Sequence, residues 1–152
     1  MTIWLLDHGA DPNQQCSIDI TPMSYAVERG PLRILQLLLD RGGDVRIGEL
    51  CQHAIGRHTD VLEVLDLLLE RGAPLNLTMY QNHYASWRLY FFMGLGTPLH
   101  KAVEAGMVEV VRHLISKGAD TRIKDAKDRT ALDCAKEFGF SEIVELLQDK
   151  ET

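Results

Sequence analysis

The side chains capable of chemistry in this chain are numerous but scattered. Six histidines, three cysteines and 22 acidic residues are present, yet none falls into a spacing that builds a reactive centre. His53 and His58 stand five apart, which reproduces neither HExxH nor another zinc-ligand signature. Cys16, Cys51 and Cys134 lie far from one another with no CxxC pair, so reduced thiols are expected rather than a disulfide framework or a structural zinc. Asp125 to Asp128 lacks the glycine and closing glutamate of a calcium loop. Gly94-Leu95-Gly96 is only a fragment of a phosphate-cradling glycine pattern, and no Ser/His/Asp grouping or P-loop occurs. Asn76-Leu77-Thr78 matches the N-glycosylation sequon, but no secretory signal accompanies it, and it reads as a chance match. The one acid–base set worth naming is His83, His100, Lys101 and Glu104, which would act only if a pocket gathered them. The expectation is a chain with no catalytic residue, no metal and no cofactor.

The elements that must position these residues are legible from one unit, Thr97 to Asp120. A Thr97 hydroxyl can accept an N–H of the first helical turn, and Pro98 has the fixed φ and missing donor that suit the first helical position. Leu99, Ala102 and Val103 recur at helical spacing until Gly106 ends the helix. Val110, Val111, Leu114 and Ile115 form the apolar stripe of a second helix, closed by Gly118. The unit repeats: Gly9 and Gly42 are 33 apart, Thr97 and Thr130 are 33 apart, and Thr21, Thr97 and Thr130 are each followed nine residues later by Gly30, Gly106 or Gly139. Leu5-Leu6, Leu38-Leu39, Leu68-Leu69, Leu114-Ile115 and Leu146-Leu147 mark the second helices.

Thr97-Pro98-Leu99-His100-x-Ala102, Gly118-Ala119-Asp120 and the period of 33 resemble the ankyrin repeat. The resemblance covers nearly the whole chain. It implies an all-α fold, a solenoid of stacked antiparallel helix pairs with hairpin-like finger loops, whose fingers and first helices line a concave binding surface. It further implies a non-enzymatic scaffold that binds another protein. His100 would make structural hydrogen bonds between loops, and Ser24, standing in the equivalent position, predicts a less rigid joint there.

Laid out on that plan, the chain is expected to be one domain, 1–152. A half repeat spans 1–20, and fuller repeats span about 21–47, 48–77, 97–129 and 130–152. Residues 1–20 supply a second helix from Ile3 to His8 but no first helix, leaving Ile3, Trp4, Leu5 and Leu6 to be covered by something else. This suggests a fragment of a longer array, or self-association through the half repeat. The third repeat has a short incoming finger, a turn about three residues longer at Arg57 to Asp60, and Leu50, His53 and Ala54 in the register of Leu99, Ala102 and Val103. Ser141 to Gln148 reads as a capping helix with Glu142, Glu145 and Gln148 on its free face, and Lys150, Glu151 and Thr152 are expected to fray.

The unusual feature is an aromatic insertion at about 78–96, which lengthens its finger by 13 residues, since Gly72 and Thr97 are 25 apart where Gly118 and Thr130 are 12 apart. Leu77 to Gly96 holds six of the ten aromatic residues. Tyr80, Tyr84, Trp87 and Phe91 are spaced to share one face of a short helix ended by Gly94 and Gly96. Either the rings fold down as a lid, or some form an anchor for a partner, with Tyr90 and Phe92 pointing outward. The candidate partner-binding residues are therefore Tyr84, Trp87, Tyr90 and Phe92. Placed by resemblance at finger tips and first-helix ends, Glu28, Arg29, Glu104, Lys124 and Arg129 join them.

A net charge of −6 opposes nonspecific attraction to phosphate backbones, so nucleic acid is not an expected partner, nor is a membrane. A cytoplasmic or nuclear location is expected. The alternative to a protein-binding scaffold is a small-molecule or enzymatic pocket closed by the aromatic insertion.

Overall fold

The computed structural model describes residues 1–17 and 19–149; Lys150, Glu151 and Thr152, expected to fray, lie outside them. The chain groups into two compact units, Met1–Pro74 and Leu75–Thr152. Among the described residues every regular element is a helix. Among those residues no helix is long and apolar enough to cross a membrane.

The first unit opens with α1 (Thr2–Asp7), whose residues are all at least partly exposed. Helices α2 (Pro22–Arg29) and α3 (Leu32–Asp40) form the next repeat, and α4 (Leu50–Ile55) and α5 (Val61–Glu70) the third. α2 packs on α3 and on α4, and α4 on α5. Leu50, His53 and Ala54, set toward the core by the register inferred for the third repeat, are buried, as are Cys51, Gln52 and Ile55. Its longer turn is also present: Gly56 to Asp60 separates α4 from α5, against Gly30-Pro31 between α2 and α3. That turn has a structural task. The Arg57 guanidinium donates to the carbonyls of Ala26, Val27 and Gly30 (3.1 Å to Gly30), placing a cation on the C-terminal end of α2 where the helix dipole favours it.

In the second unit α6 (Tyr84–Tyr90) and a 3₁₀ turn (Phe91–Met93) come from the insertion. α7 (Pro98–Glu104) and α8 (Val108–Ser116), then α9 (Ala131–Phe138) and α10 (Ser141–Gln148), are the two following repeats. α7 packs on α8 and α9, and α10 on α8 and α9. Helix α10 covers the residues read from the sequence, burying Ile143 and Leu147 while Glu142, Glu145 and Gln148 face outward.

The fingers carry no strand ladder among the described residues. Two of them close through isolated bonds, Cys16 N–H to Ile20 O at 3.0 Å with Asp19 at positive φ, and Asp125 N–H to Arg129 O at 2.9 Å with Asp128 at positive φ. Side chains finish the job. Asn13 donates from Nδ2 to Gly42 O (2.8 Å) and accepts from Asp44 N–H (2.7 Å). In the second unit Asn76 does the same to Gly118 O (3.2 Å) and Asp120 N–H (2.9 Å). The residues joined are 29 apart in the first case and 42 in the second, a difference equal to the insertion's 13 residues. The repeat scaffold is therefore unchanged by the insertion, which leaves and re-enters it at fixed points.

Leu114 is fully buried in α8, the helix that packs on both α7 and α10. Leu114→Ala is expected to cost about 2–5 kcal/mol by denaturant unfolding, with faster hydrogen exchange in α7 and α10 as well as α8. Exchange confined to α8 would contradict the shared-stack account.

Candidate functional site

The insertion closes at its base through Met79 N–H donating to Gly96 O at 3.0 Å. Between those residues the chain bulges out. His83 caps α6 by accepting the Ser86 N–H at 3.2 Å, and Ser86 is buried on the inner side. Gly94 ends the excursion at φ +74, and a Cβ there would lie 2.7 Å from the Arg129 guanidinium and 3.2 Å from Asp125. Only glycine allows the insertion to settle this closely on the last finger.

The rings divide between two tasks. Tyr84, Trp87 and Phe91 form a ladder, centroids 6.4 and 5.8 Å apart and planes within 18° and 29° of each other. They stay in solvent, Tyr84 at 71%, Trp87 at 40% and Phe91 at 48% exposure, with Phe92 at 62% set edge-on to Phe91. The helix and its outward Phe92 follow the sequence reading; two rings do not. Tyr80 stands before the helix at positive φ and is buried. Tyr90, expected outward, is half-buried and packs on Tyr80 at 5.7 Å. Helical spacing from Tyr84 puts Tyr90 beside Ser86 on the inner face, and Tyr80, pinned by its turn, supplies the ring that covers it. Leu89, Met93 and Arg88 are also exposed, and the spacing argument passed over them because they lie off the aromatic stripe. A sequence signal for them exists in the absence of any acidic residue from Arg71 to Val103.

Beneath the insertion lies a buried polar joint. The Asp125 side chain is fully buried, yet one oxygen accepts the N–H groups of Lys127 (2.8 Å) and Arg129 (3.0 Å) while the other takes the Arg129 guanidinium in a fork, 2.9 and 2.7 Å. Burial alone would raise its pKa, but the Arg129 bonds outweigh that and hold it below the usual carboxylate range. Arg129 also reaches Glu137 (2.6 Å) and Glu104 (3.0 Å). Glu104, half-buried, is pushed above the ordinary value by desolvation, against the pull of Arg129. Of the finger and helix-end candidates, Arg129 and Glu104 thus spend their charges inside the chain. Lys124 is exposed and pairs with Asp128 at 2.9 Å. In the first unit Glu28 accepts from His53 Nδ1 (2.9 Å) and pairs with the largely exposed Arg29 (3.1 Å).

His100 ties this joint to the helix. Thr97 N–H donates to its Nδ1 at 3.2 Å, so the proton sits on Nε2, which donates to Arg129 O at 3.0 Å. In the first unit Ser24, fully buried, replaces it. Its hydroxyl accepts the Thr21 N–H at 3.1 Å and donates to Gly48 O at 2.7 Å. The bond to the next finger is kept despite the serine, because the shorter finger brings its carbonyl to the shorter side chain. Gly48, at φ +76, makes room where a Cβ would sit 2.4 Å from Ser24 Oγ.

The acid–base set named from the sequence is occupied in this way: His83 caps a helix, His100 bridges Thr97 and Arg129, and Glu104 holds Arg129. Glu104, Asp125 and Cys134 bring ligand-type atoms within 4.8 Å of one another, but the Arg129 cation already fills the space between the carboxylates. Burial pushes the Cys134 thiol up to about 11 and the Cys51 thiol up to about 12, keeping both protonated and unreactive.

A family model for ankyrin repeats in three copies matches residues 60–152. The sequence is 31% identical over 146 residues to ankyrin repeat protein nuc-2 of Neurospora crassa, covering 94% of this chain and 13% of that protein. It is 26% identical over 147 residues to alpha-latrotoxin-Lg1a of Latrodectus geometricus, covering 94% and 10%. With the ankyrin repeat and KH domain-containing protein mask-1 of Caenorhabditis elegans the identity is 29% over 145 residues, covering 84% and 6%. The chain thus spans only a small part of the length of these relatives.

Burial lowers the pKa of His100 from the usual 6.5, its first cause being desolvation. The unfolded chain takes up this proton first as pH falls, so the stability His100 contributes is complete above about 6.5 and is lost as pH falls through the folded value. Between pH 7.5 and 5 the denaturation midpoint of the native chain is expected to fall further than that of a His100→Gln variant. Equal falls would remove His100 as the titrating group.

Proposed function

The chain belongs to the ankyrin-repeat family, and from that premise we propose that it is a non-enzymatic module binding another protein through its aromatic insertion. Ankyrin repeats are in general protein-interaction modules. The observation that carries the assignment to the insertion is the exposed ladder of Tyr84, Trp87 and Phe91 with Phe92 beside it. Large aromatic surfaces left in water are costly unless something covers them, and Trp and Tyr bring contact area with little side-chain entropy to lose. The ladder is also fixed before contact. Its helix is capped by His83, its inner face is packed through Ser86 and Tyr90, and its end is seated on the Asp125–Arg129 finger, so binding orders little that is free. Lys124 on the adjoining finger contributes a polar contact at the margin of this surface, and Glu28 and Arg29 at the end of α2 remain a separate polar candidate on the first unit. Arg129 and Glu104 hold the finger in shape.

A second reading concerns the N-terminal end of the first unit. Ile3, Trp4 and Leu5 of α1 are exposed, and an apolar cleft of about 470 Å³ lies between α1 and α3, lined by Met1, Ile3, Arg33, Ile34 and Leu37. A second copy of the chain would bury this face. Light scattering is expected to show a mass that rises with concentration and returns to the monomer in Trp4→Asp. A monomer at every concentration overturns that reading.

For the main reading, affinity capture from a lysate of the source cells compares the chain with a Tyr84→Ala, Trp87→Ala, Phe91→Ala variant, after circular dichroism has shown both folded. Loss of the captured protein by the variant supports the insertion as the binding surface, with an expected weakening of at least about thirtyfold. Unchanged capture moves the binding to the fingers and first helices.

A further inference from the structure

Charge singles out one residue of the insertion. From Arg71 to Val103 the sequence has no aspartate or glutamate, although the chain as a whole carries a net charge of −6. In the middle of that run stands Arg88, exposed, its guanidinium engaged, among the described residues, in no hydrogen bond or ion pair. Its situation differs from that of Arg41, Arg46, Arg122 and Arg129, each of which meets a carboxylate of its own unit.

The helix places this cation among apolar groups. Successive residues are about 100° apart around a helix, so Trp87, Arg88 and Leu89 fan across the outer arc of α6 with Arg88 between the other two. Ser86 and Tyr90 occupy the inner side. Tyr84 and Phe91 extend the Trp87 flank, while Leu89 is exposed at 56% on the other. A cation that no neighbour balances, bordered on both sides by exposed apolar surface, is complementary to a carboxylate bordered by aliphatic or aromatic groups. A lipid surface fits less well, because interfacial segments draw on several Lys and Arg residues, whereas this patch has one arginine on an acidic chain.

We propose that the segment bound at α6 is an acidic, apolar peptide of the partner protein. Its carboxylate takes the Arg88 guanidinium, and its apolar neighbours cover Trp87 and Phe91 on one flank and Leu89 on the other. This rests on the reading of the insertion as the partner-binding surface.

The test pans the full chain against two displayed peptide pools of identical apolar composition. One pool carries Asp or Glu at a central position, the other Lys or Arg, and mixed phosphatidylcholine–phosphatidylserine vesicles are a third probe. The native chain is expected to retain the acidic pool about tenfold better than the basic one. Arg88→Glu, which touches no packed group, is expected to keep its circular dichroism spectrum and to abolish or invert that preference, while Trp87→Ala weakens retention of both pools. Equal retention of the pools, or a preference that Arg88→Glu leaves unchanged, overturns the acidic partner but leaves the insertion as the surface. Retention indifferent to Trp87→Ala overturns the surface itself and this proposal with it. Vesicles held in preference to either pool replace the peptide with lipid, and retention of none of the three probes overturns the proposal.

Discussion

The structure depends on how its fingers satisfy backbone groups without a strand ladder. A tight hairpin of this kind leaves N–H and C=O groups that a sheet would pair, and where such groups are shielded from water each unmet bond costs about 1–3 kcal/mol. The repeats answer with side chains that reach from one finger or helix to the next. Asn13 and Asn76 each bond a carbonyl and an N–H of the following loop. Ser24 and His100 each accept from the N–H of their own helix cap and donate to the next finger's carbonyl. The helices supply buried apolar area; these bonds fix where each pair stands relative to its neighbour within a unit.

One consequence is that residue identity at a joint is coupled to loop length. A histidine spans to Arg129 O, and a serine spans to Gly48 O because the finger before α4 is shorter and ends in a glycine that admits the hydroxyl. The Asp125–Arg129 pair belongs to the same logic. A buried carboxylate is tolerated because two backbone N–H groups and a forked guanidinium surround it, and the resulting rigid finger is what the insertion's Gly94 rests upon.

Much of this was legible in the sequence, for identifiable reasons. Periodic leucines, threonine caps and closing glycines report local geometry, so α10 and the register of α4 could be read directly. The bond Ser24 makes to Gly48 could not be read from a one-residue comparison, which ignores the finger it must reach, and Tyr80 and Tyr90 misled because helical spacing says which residues share a face but not where the helix begins. His83, as the cap, sets that boundary after Tyr80. Arg88 went unremarked because its significance lies in the groups missing around it, which a search for clustered ligands does not detect.

The closure of the insertion by Met79 and Gly96, beneath an unchanged Asn76 bridge, separates two properties that proteins usually trade against each other. Loop length enters stability only through a logarithm, with each doubling costing about 0.6 kcal/mol. Added length in the excursion from Tyr80 to Leu95 thus costs the stack little, as long as Gly94 and the Tyr80–Tyr90 packing keep it seated. The excursion is an appendage whose size is set almost independently of the packed interior that carries it.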